Sequence, residues 1–255
     1  MVIRSLILVA ALVLFLPTVA PYDPMTTDTT QILMPPSVAH WLGTDGLGRD
    51  LLSRLLYGGR TTLLLTAFST GLAVIPGCVL GIATGYQAGL LDRLAKLVTN
   101  TLLSVPGLLI AFVSVTLLGR GYIGLILGVA LAHIAPAMQS ARAATIGTRH
   151  AAYIEAAVAL GARQRYIMRA HVLPNILPLL LATLTLSFGY CLLMIGALGY
   201  LGIAGQPGEP EWGAMLAEGR AVLREAVWVS AVPGIAMTII MLLVNALADR
   251  FTRRG

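Results

Sequence analysis

Residues 170–208 read AHVLPNILPLLLATLTLSFGYCLLMIGALGYLGIAGQPG, 39 positions without one Asp, Glu, Lys or Arg. As a single straight helix this stretch would reach about 58 Å at ~1.5 Å per residue, against a hydrocarbon core of roughly 30 Å. It is too long for one crossing and just long enough for two. Working outward, five further uncharged intervals appear: 5–22, 61–91, 97–119, 121–141 and 226–248. The six intervals hold 155 residues, so all 28 charged side chains fall in the other 100. A charge at mid-membrane costs about 2.5–3.5 kcal/mol on insertion scales, and this segregation is its signature. The chain is therefore an all-α, polytopic membrane protein. A transmembrane barrel would show ~10-residue alternating segments instead, and none is present.

Charge placement decides the topology. With six spans and the N-terminus inside, the inner segments hold Arg4, Arg93, Lys96, Arg142, Arg149, Arg163, Arg165, Arg169, Arg250, Arg253 and Arg254, and the outer ones Arg49, Arg54, Arg60, Arg120, Arg220 and Arg224. Eleven against six obeys the positive-inside rule. A seventh span would carry the basic tail outside, so the long interval is read as one span from about Pro174 to Ile195, followed by an outer turn over Gly196 to Gly205. The span over 97–119 is read as a single crossing. The first interval also resembles a signal peptide, with Arg4, an apolar run and Thr18-Val19-Ala20, but Pro21 disfavours cleavage there and the span is expected to be retained. The net charge of +6 needs no nucleic acid to explain it. Cys78 and Cys191 both fall inside spans, as small buried apolar residues.

Several chemistries are excluded by what is missing. Lys96, the sole lysine, follows Leu94 and Ala95 rather than a glycine-rich loop, so no phosphate loop of the G-x-x-x-x-G-K-[ST] type exists. The run Gly43-Thr44-Asp45-Gly46-Leu47-Gly48 reads as a turn leading into a helix. His40, His133, His150 and His171 show no metal-ligand spacing, and no nucleophile elbow occurs. His133 sits in the fourth span, where an ionisable residue is a candidate for function; a neutral imidazole hydrogen-bonded within the bundle is the plainer reading.

Between spans four and five, the alanine-rich run from His150 to Leu160 is strongly helix-forming and stops at Gly161, a helix cap. A second short helix is expected over about Arg163 to Ala170, with Pro174 opening the next span. Tyr153, Ala156, Ala157 and Leu160 share one face at i, i+3, i+4 and i+7, which suits docking into a groove of another protein. Near the first span, Leu47, Leu51, Leu52, Leu55 and Leu56 make an apolar stripe, read as a helix lying in the interface with Arg49, Arg54 and Arg60 snorkelling.

The same stretches carry a family resemblance. Glu155-Ala156-Ala157, Gly161 and His171-Val172-Leu173-Pro174 resemble the E-A-A-x-x-x-G-x(9)-I-x-L-P loop of ABC importer permeases, with His171 where the general pattern has Ile. The form His171 to Asn175 is similar to that of the dipeptide/oligopeptide/nickel subfamily. His40-Trp41-Leu42-Gly43-Thr44-Asp45 through Arg60 resembles its second permease type, as do Glu211-Trp212-Gly213 and the pattern running on to Asp249. The tail after Asp249 lacks that subfamily's usual acidic continuation, and Ile195 stands where peptide permeases often carry an acid.

The resemblance implies a type I ABC importer permease fold with six transmembrane helices: a first helix over 1–22, an extracytoplasmic segment with an interfacial helix over 23–60, and a five-helix core over 61–255 with a cytoplasmic coupling loop over 142–173. It implies coupling to an ATPase through Tyr153, Glu155, Ala156, Ala157, Gly161 and Pro174, and a translocation path near His133 and Ile195. The implied partners are a second homologous permease, one or two ATPase subunits that bind ATP and Mg, an extracytoplasmic binding protein and membrane lipid. The chain itself would hold no cofactor and perform no covalent chemistry. It would lie in a bacterial inner membrane with both termini cytoplasmic. The missing acid at Ile195 tilts the expected substrate toward a metal chelate, with peptides an equal contender. The rival readings are a channel or scaffold, which should show polar pore positions, and an intramembrane enzyme using His133.

Overall fold

The computed structural model describes residues 15–87, 89–119, 121–203 and 208–252. Among them the chain is helical: α1 Leu51–Tyr86, α2 Leu90–Ser104, α3 Gly107–Leu118, α4 Tyr122–Arg149, α5 Ala152–Ala159, α6 Gln164–Ile167, α7 Leu173–Tyr200, α8 Trp212–Ala221 and α9 Val227–Thr252. A lone antiparallel bridge joins Thr44 and Asp50. Four helical runs are long and apolar enough to cross a membrane, α1, α4, the run Gln164–Tyr200 and Val227–Asp249, and a fifth if the bent pair α2 and α3 counts as one. Residues 1–14, and with them most of the expected first span, lie outside the described residues.

Three expectations about element boundaries are corrected. The stretch 97–119 is not one helix: α2 and α3 meet at 90°. Pro106 has no N–H to donate and pushes the preceding Val105 into extended backbone (φ −98°, ψ 130°), so the helix must stop there. The stripe from Leu47 to Leu56 is not a separate interfacial helix either. From Leu51 it is the beginning of α1, which continues unbroken for 36 residues, about 54 Å at ~1.5 Å each. Finally, the helix expected over Arg163 to Ala170 does not stand apart. α6 passes through a π turn, Met168–Val172, straight into α7. The wider turn, in which the Leu173 N–H reaches back to the Met168 carbonyl, gives Pro174 room without a clash against the preceding turn.

The described residues form two compact units. One takes residues from 1–68, 114–126 and 192–241; the other from 69–113, 127–191 and 242–255. In the first, α7 does not turn at Gly196 as expected but runs on to Tyr200. Gly196 and Gly199 are instead points of close approach: a Cβ at 196 would strike Met237, and one at 199 would lie 3.0 Å from the Gly213 Cα. Glu211 caps α8 from its buried position, Oε1 accepting from the Gly213 N–H (2.9 Å) and the Thr62 hydroxyl (3.1 Å), and Oε2 from the Ala214 N–H (2.9 Å). Burial pushes its carboxyl above the usual range while these three donors oppose the shift.

In the second unit α1 and α4 pack through small residues. Gly77, Gly81 and Gly85 recur every fourth position and so share one face. A Cβ at 77 would lie 2.9 Å from the Ile134 carbonyl, one at 81 would be 2.9 Å from the Ala141 Cβ, and one at 85 would be 2.9 Å from the Arg142 carbonyl. Backbones this close gain dispersion contacts that lipid cannot match, which is how glycine spacing holds helices together in a bilayer. Val74, Cys78, Ala137 and Ala141 fill the adjoining core. Arg142 Nε donates to Asp92 Oδ1 at 2.6 Å and ties the start of α2 to α4.

Candidate functional site: the α5–α6 hairpin

The hairpin between α4 and α7 is anchored from beneath and open above. Ile154, Ile167, Val172 and Ile176 form a buried cluster, with Ile82 and Tyr86 of α1, Ala144 of α4 and Leu180 of α7 packed against it. Three long helices thus share one small core with the hairpin. Arg149 at the end of α4 donates from Nη1 to the Tyr86 carbonyl (2.8 Å), placing a cation at the C-terminus of α1 where the helix dipole favours it.

The turn is built on Gly161, whose φ is +80°. The Gly161 N–H donates to the Val158 carbonyl (2.9 Å) and the Ala162 N–H to the Ala157 carbonyl (3.0 Å), a Schellman pair that closes α5. A left-handed residue here is what glycine supplies without steric cost.

Of the face proposed from spacing, Tyr153, Ala156 and Leu160 are exposed, Leu160 at 88%, and Glu155 is exposed beside them. Val158 and Tyr166 add to this apolar surface. Ala157 differs: it is half-buried and packs inward against the Ile154 cluster. Pro174 is exposed at the start of α7. His171 lies between two tyrosines, 6.1 Å from the Tyr153 ring and 5.6 Å edge-on from that of Tyr166. A flat ring at 171 therefore serves a packing role between aromatic neighbours. A recess of about 420 Å³ opens beside the hairpin, lined among others by Arg149, His150, Glu155 and Gln164.

Residues 77–254 match the family described as binding-protein-dependent transport system inner membrane component. The chain belongs to that family. It is similar to the di/tripeptide transport system permease DppC of Pseudomonas aeruginosa, 36% identical over 96% of this chain and 82% of that protein. A probable D,D-dipeptide transport permease, DdpC of Escherichia coli, is 33% identical over the same shares, 96% and 82%. A glutathione transport permease, GsiD of Pectobacterium atrosepticum, is 35% identical over 84% of this chain and 71% of its own length. Among solved structures, an inward-facing MetNI methionine ABC transporter chain superposes with a TM-score of 0.63 at 20% identity, covering 80% of this chain and 95% of that one, a shared fold. The protein is the permease component of a binding-protein-dependent ABC importer.

Two residues expected near the permease's path, His133 and Ile195, are both buried within the chain. His133 of α4 is buried, its Nε2 2.8 Å from the Ser187 hydroxyl of α7, and its ring stacks on Tyr190 with centroids 4.7 Å apart. Ile195 is buried at 0% exposure.

The permease also holds a polar network that the sequence reading missed. Arg49 and Arg54, expected to snorkel into the headgroups, are buried instead. Arg49 bridges Asp45 (2.7 Å) and Glu218 (2.9 Å), and Arg54 bridges the same pair at 3.3 and 2.8 Å. Beside it, Asp50 caps α1 through the Ser53 N–H (2.8 Å) and meets His40 Nδ1 at 2.8 Å, while His40 Nε2 meets Gln31 at 2.6 Å. The 43–48 run forms the expected turn: the Asp45 carboxylate accepts from the N–H groups of Leu47 (2.8 Å) and Arg49 (3.0 Å). The i,i+4 spacing of Asp45 and Arg49 was visible in sequence, but nothing local pointed to Glu218.

Proposed function

We propose that this permease imports short peptides, docking an ATPase on the α5–α6 hairpin and pairing with a second homologous permease and an extracytoplasmic binding protein. The observation that carries the peptide reading is the likeness over 96% of the chain to permeases named for di- and tripeptides. The docking reading is supported by the exposed Tyr153, Val158, Leu160 and Tyr166 standing over a buried core shared with α1, α4 and α7. An ATPase that shifts this surface shifts the packed Ile154 cluster beneath it, and the continuous run from Gln164 to Tyr200 carries the displacement along the span. ATP and Mg belong to the ATPase subunits, one or two in kind, and the permease contributes movement and a path. Six spans with both termini cytoplasmic complete the arrangement in a bacterial inner membrane.

Two measurements test this. In the reconstituted importer, ATP should drive uptake of a labelled dipeptide; uptake of a nickel chelate but not of dipeptide would replace the cargo. For topology, single cysteines at Thr148 and Glu209, in a chain lacking Cys78 and Cys191, should be labelled by impermeant reagents from opposite sides. Labelling from one side would reject the six-span arrangement.

A further inference from the structure

Tyr190 is 44% exposed, and it lies ten residues before the end of α7 at Tyr200. At ~1.5 Å per residue that is about 15 Å, half of a roughly 30 Å hydrocarbon core. His133, 11 residues into α4, lies at a matching depth. Tyrosines in membrane proteins favour the two interfaces, where the hydroxyl stays wet. At mid-depth and facing lipid, the Tyr190 hydroxyl would go without a partner, and among the described residues it has none. Behind its ring sits the buried His133–Ser187 pair, whose His133 Nδ1 also has no partner. Polar side chains at this depth face a bundle interior or a water-filled passage. His133 takes the interior, and Tyr190 stands exposed on the outward side of the pair.

We propose that Tyr190 lines the substrate path at mid-membrane, where its hydroxyl hydrogen-bonds the amide or carboxylate groups of a passing peptide, and that His133, held by Ser187, is the positioning residue that fixes its ring. The peptide chemistry rests on the importer reading above; the placement in the path does not. The phenol can donate to a carbonyl or carboxylate and accept from an amide N–H, so it suits a backbone rather than any one side chain. Stacking at 4.7 Å on His133 removes the ring's freedom to turn away.

The test is made in the full importer, in a background without Cys78 and Cys191. Tyr190→Cys should react with a charged, membrane-impermeant thiol reagent, and excess dialanine with the binding protein should protect it. Reaction only with a lipid-soluble maleimide would place Tyr190 against lipid, and no reaction with either would place it against the second permease; both results overturn the proposal. Tyr190→Phe keeps the stack and loses only the hydroxyl, so uptake should fall about three- to ten-fold with ATPase activity retained. Unchanged uptake would overturn the contact. His133→Ala should lower uptake similarly while His133→Phe, which keeps a stacking ring but loses the Ser187 bond, restores part of it; equal loss in both would assign His133 to folding alone. If wild type carries no dipeptide at all, the cargo reading fails, and labelling by the charged reagent still decides the path.

Discussion

Arg54→Met should destabilise the permease by about 3 kcal/mol, the low end for removing one member of a buried ionic cluster. The side chain is completely buried, yet its partner Glu218 keeps 35% exposure, and that residual hydration moderates the loss. With Arg54 gone, Asp45 and Glu218 share Arg49 alone, two carboxylates against one guanidinium. The change is read as a lowered unfolding midpoint in detergent. Adding Glu218→Gln restores the charge balance, since Asp45 and Arg49 remain paired at 2.7 Å, so the double variant should recover part of the stability lost in Arg54→Met. Strictly additive losses would show that the cluster acts as separate contacts.

Gly161 gives an ordered series. No atom lies within 4 Å of where its Cβ would be, so steric crowding by neighbours plays no part, and only the φ of +80° opposes a side chain. An L-residue in the left-handed region costs about 1–2 kcal/mol, asparagine less and a β-branched residue more. Gly161→Asn should therefore retain most uptake, Gly161→Ala less, and Gly161→Val should lose roughly ten-fold, the effect of about 1.4 kcal/mol on the hairpin's competent form. All three chains should still insert, because the glycine lies outside the long apolar runs. Full uptake and coupled ATPase activity in Gly161→Val would remove the hairpin from the coupling route.

How much of this was legible in sequence follows from the range of each interaction. The membrane-crossing runs were visible because hydropathy is summed locally, and the α5 stop at Gly161 because a cap is a local event. The bend at Pro106 carried a local signal too, a proline with a glycine after it, which the uncharged length of 97–119 obscured. The continuation of α7 through Gly196 and Gly199 could not be seen: four glycines in ten residues suggest a turn until Met237 and Gly213 are found packed on them. Arg49 and Arg54 mislead for the same reason, since Glu218 lies 164 residues beyond Arg54. The close approach of α1 to α4 at Gly77, Gly81 and Gly85 was written in a four-residue spacing, and the pattern acquires meaning only with Ala141 opposite it.

The central claim is that the α5–α6 hairpin is the surface on which an ATPase seats. A photo-crosslinking amino acid placed at position 153, where Tyr153 stands exposed, and irradiated in native membranes containing the whole importer, reads that contact directly. The predicted product is one covalent adduct between the permease and an ATPase subunit, with the same probe at the buried position 195 giving none. Adducts at 153 confined to lipid or to the second permease, with no ATPase among them, would contradict it.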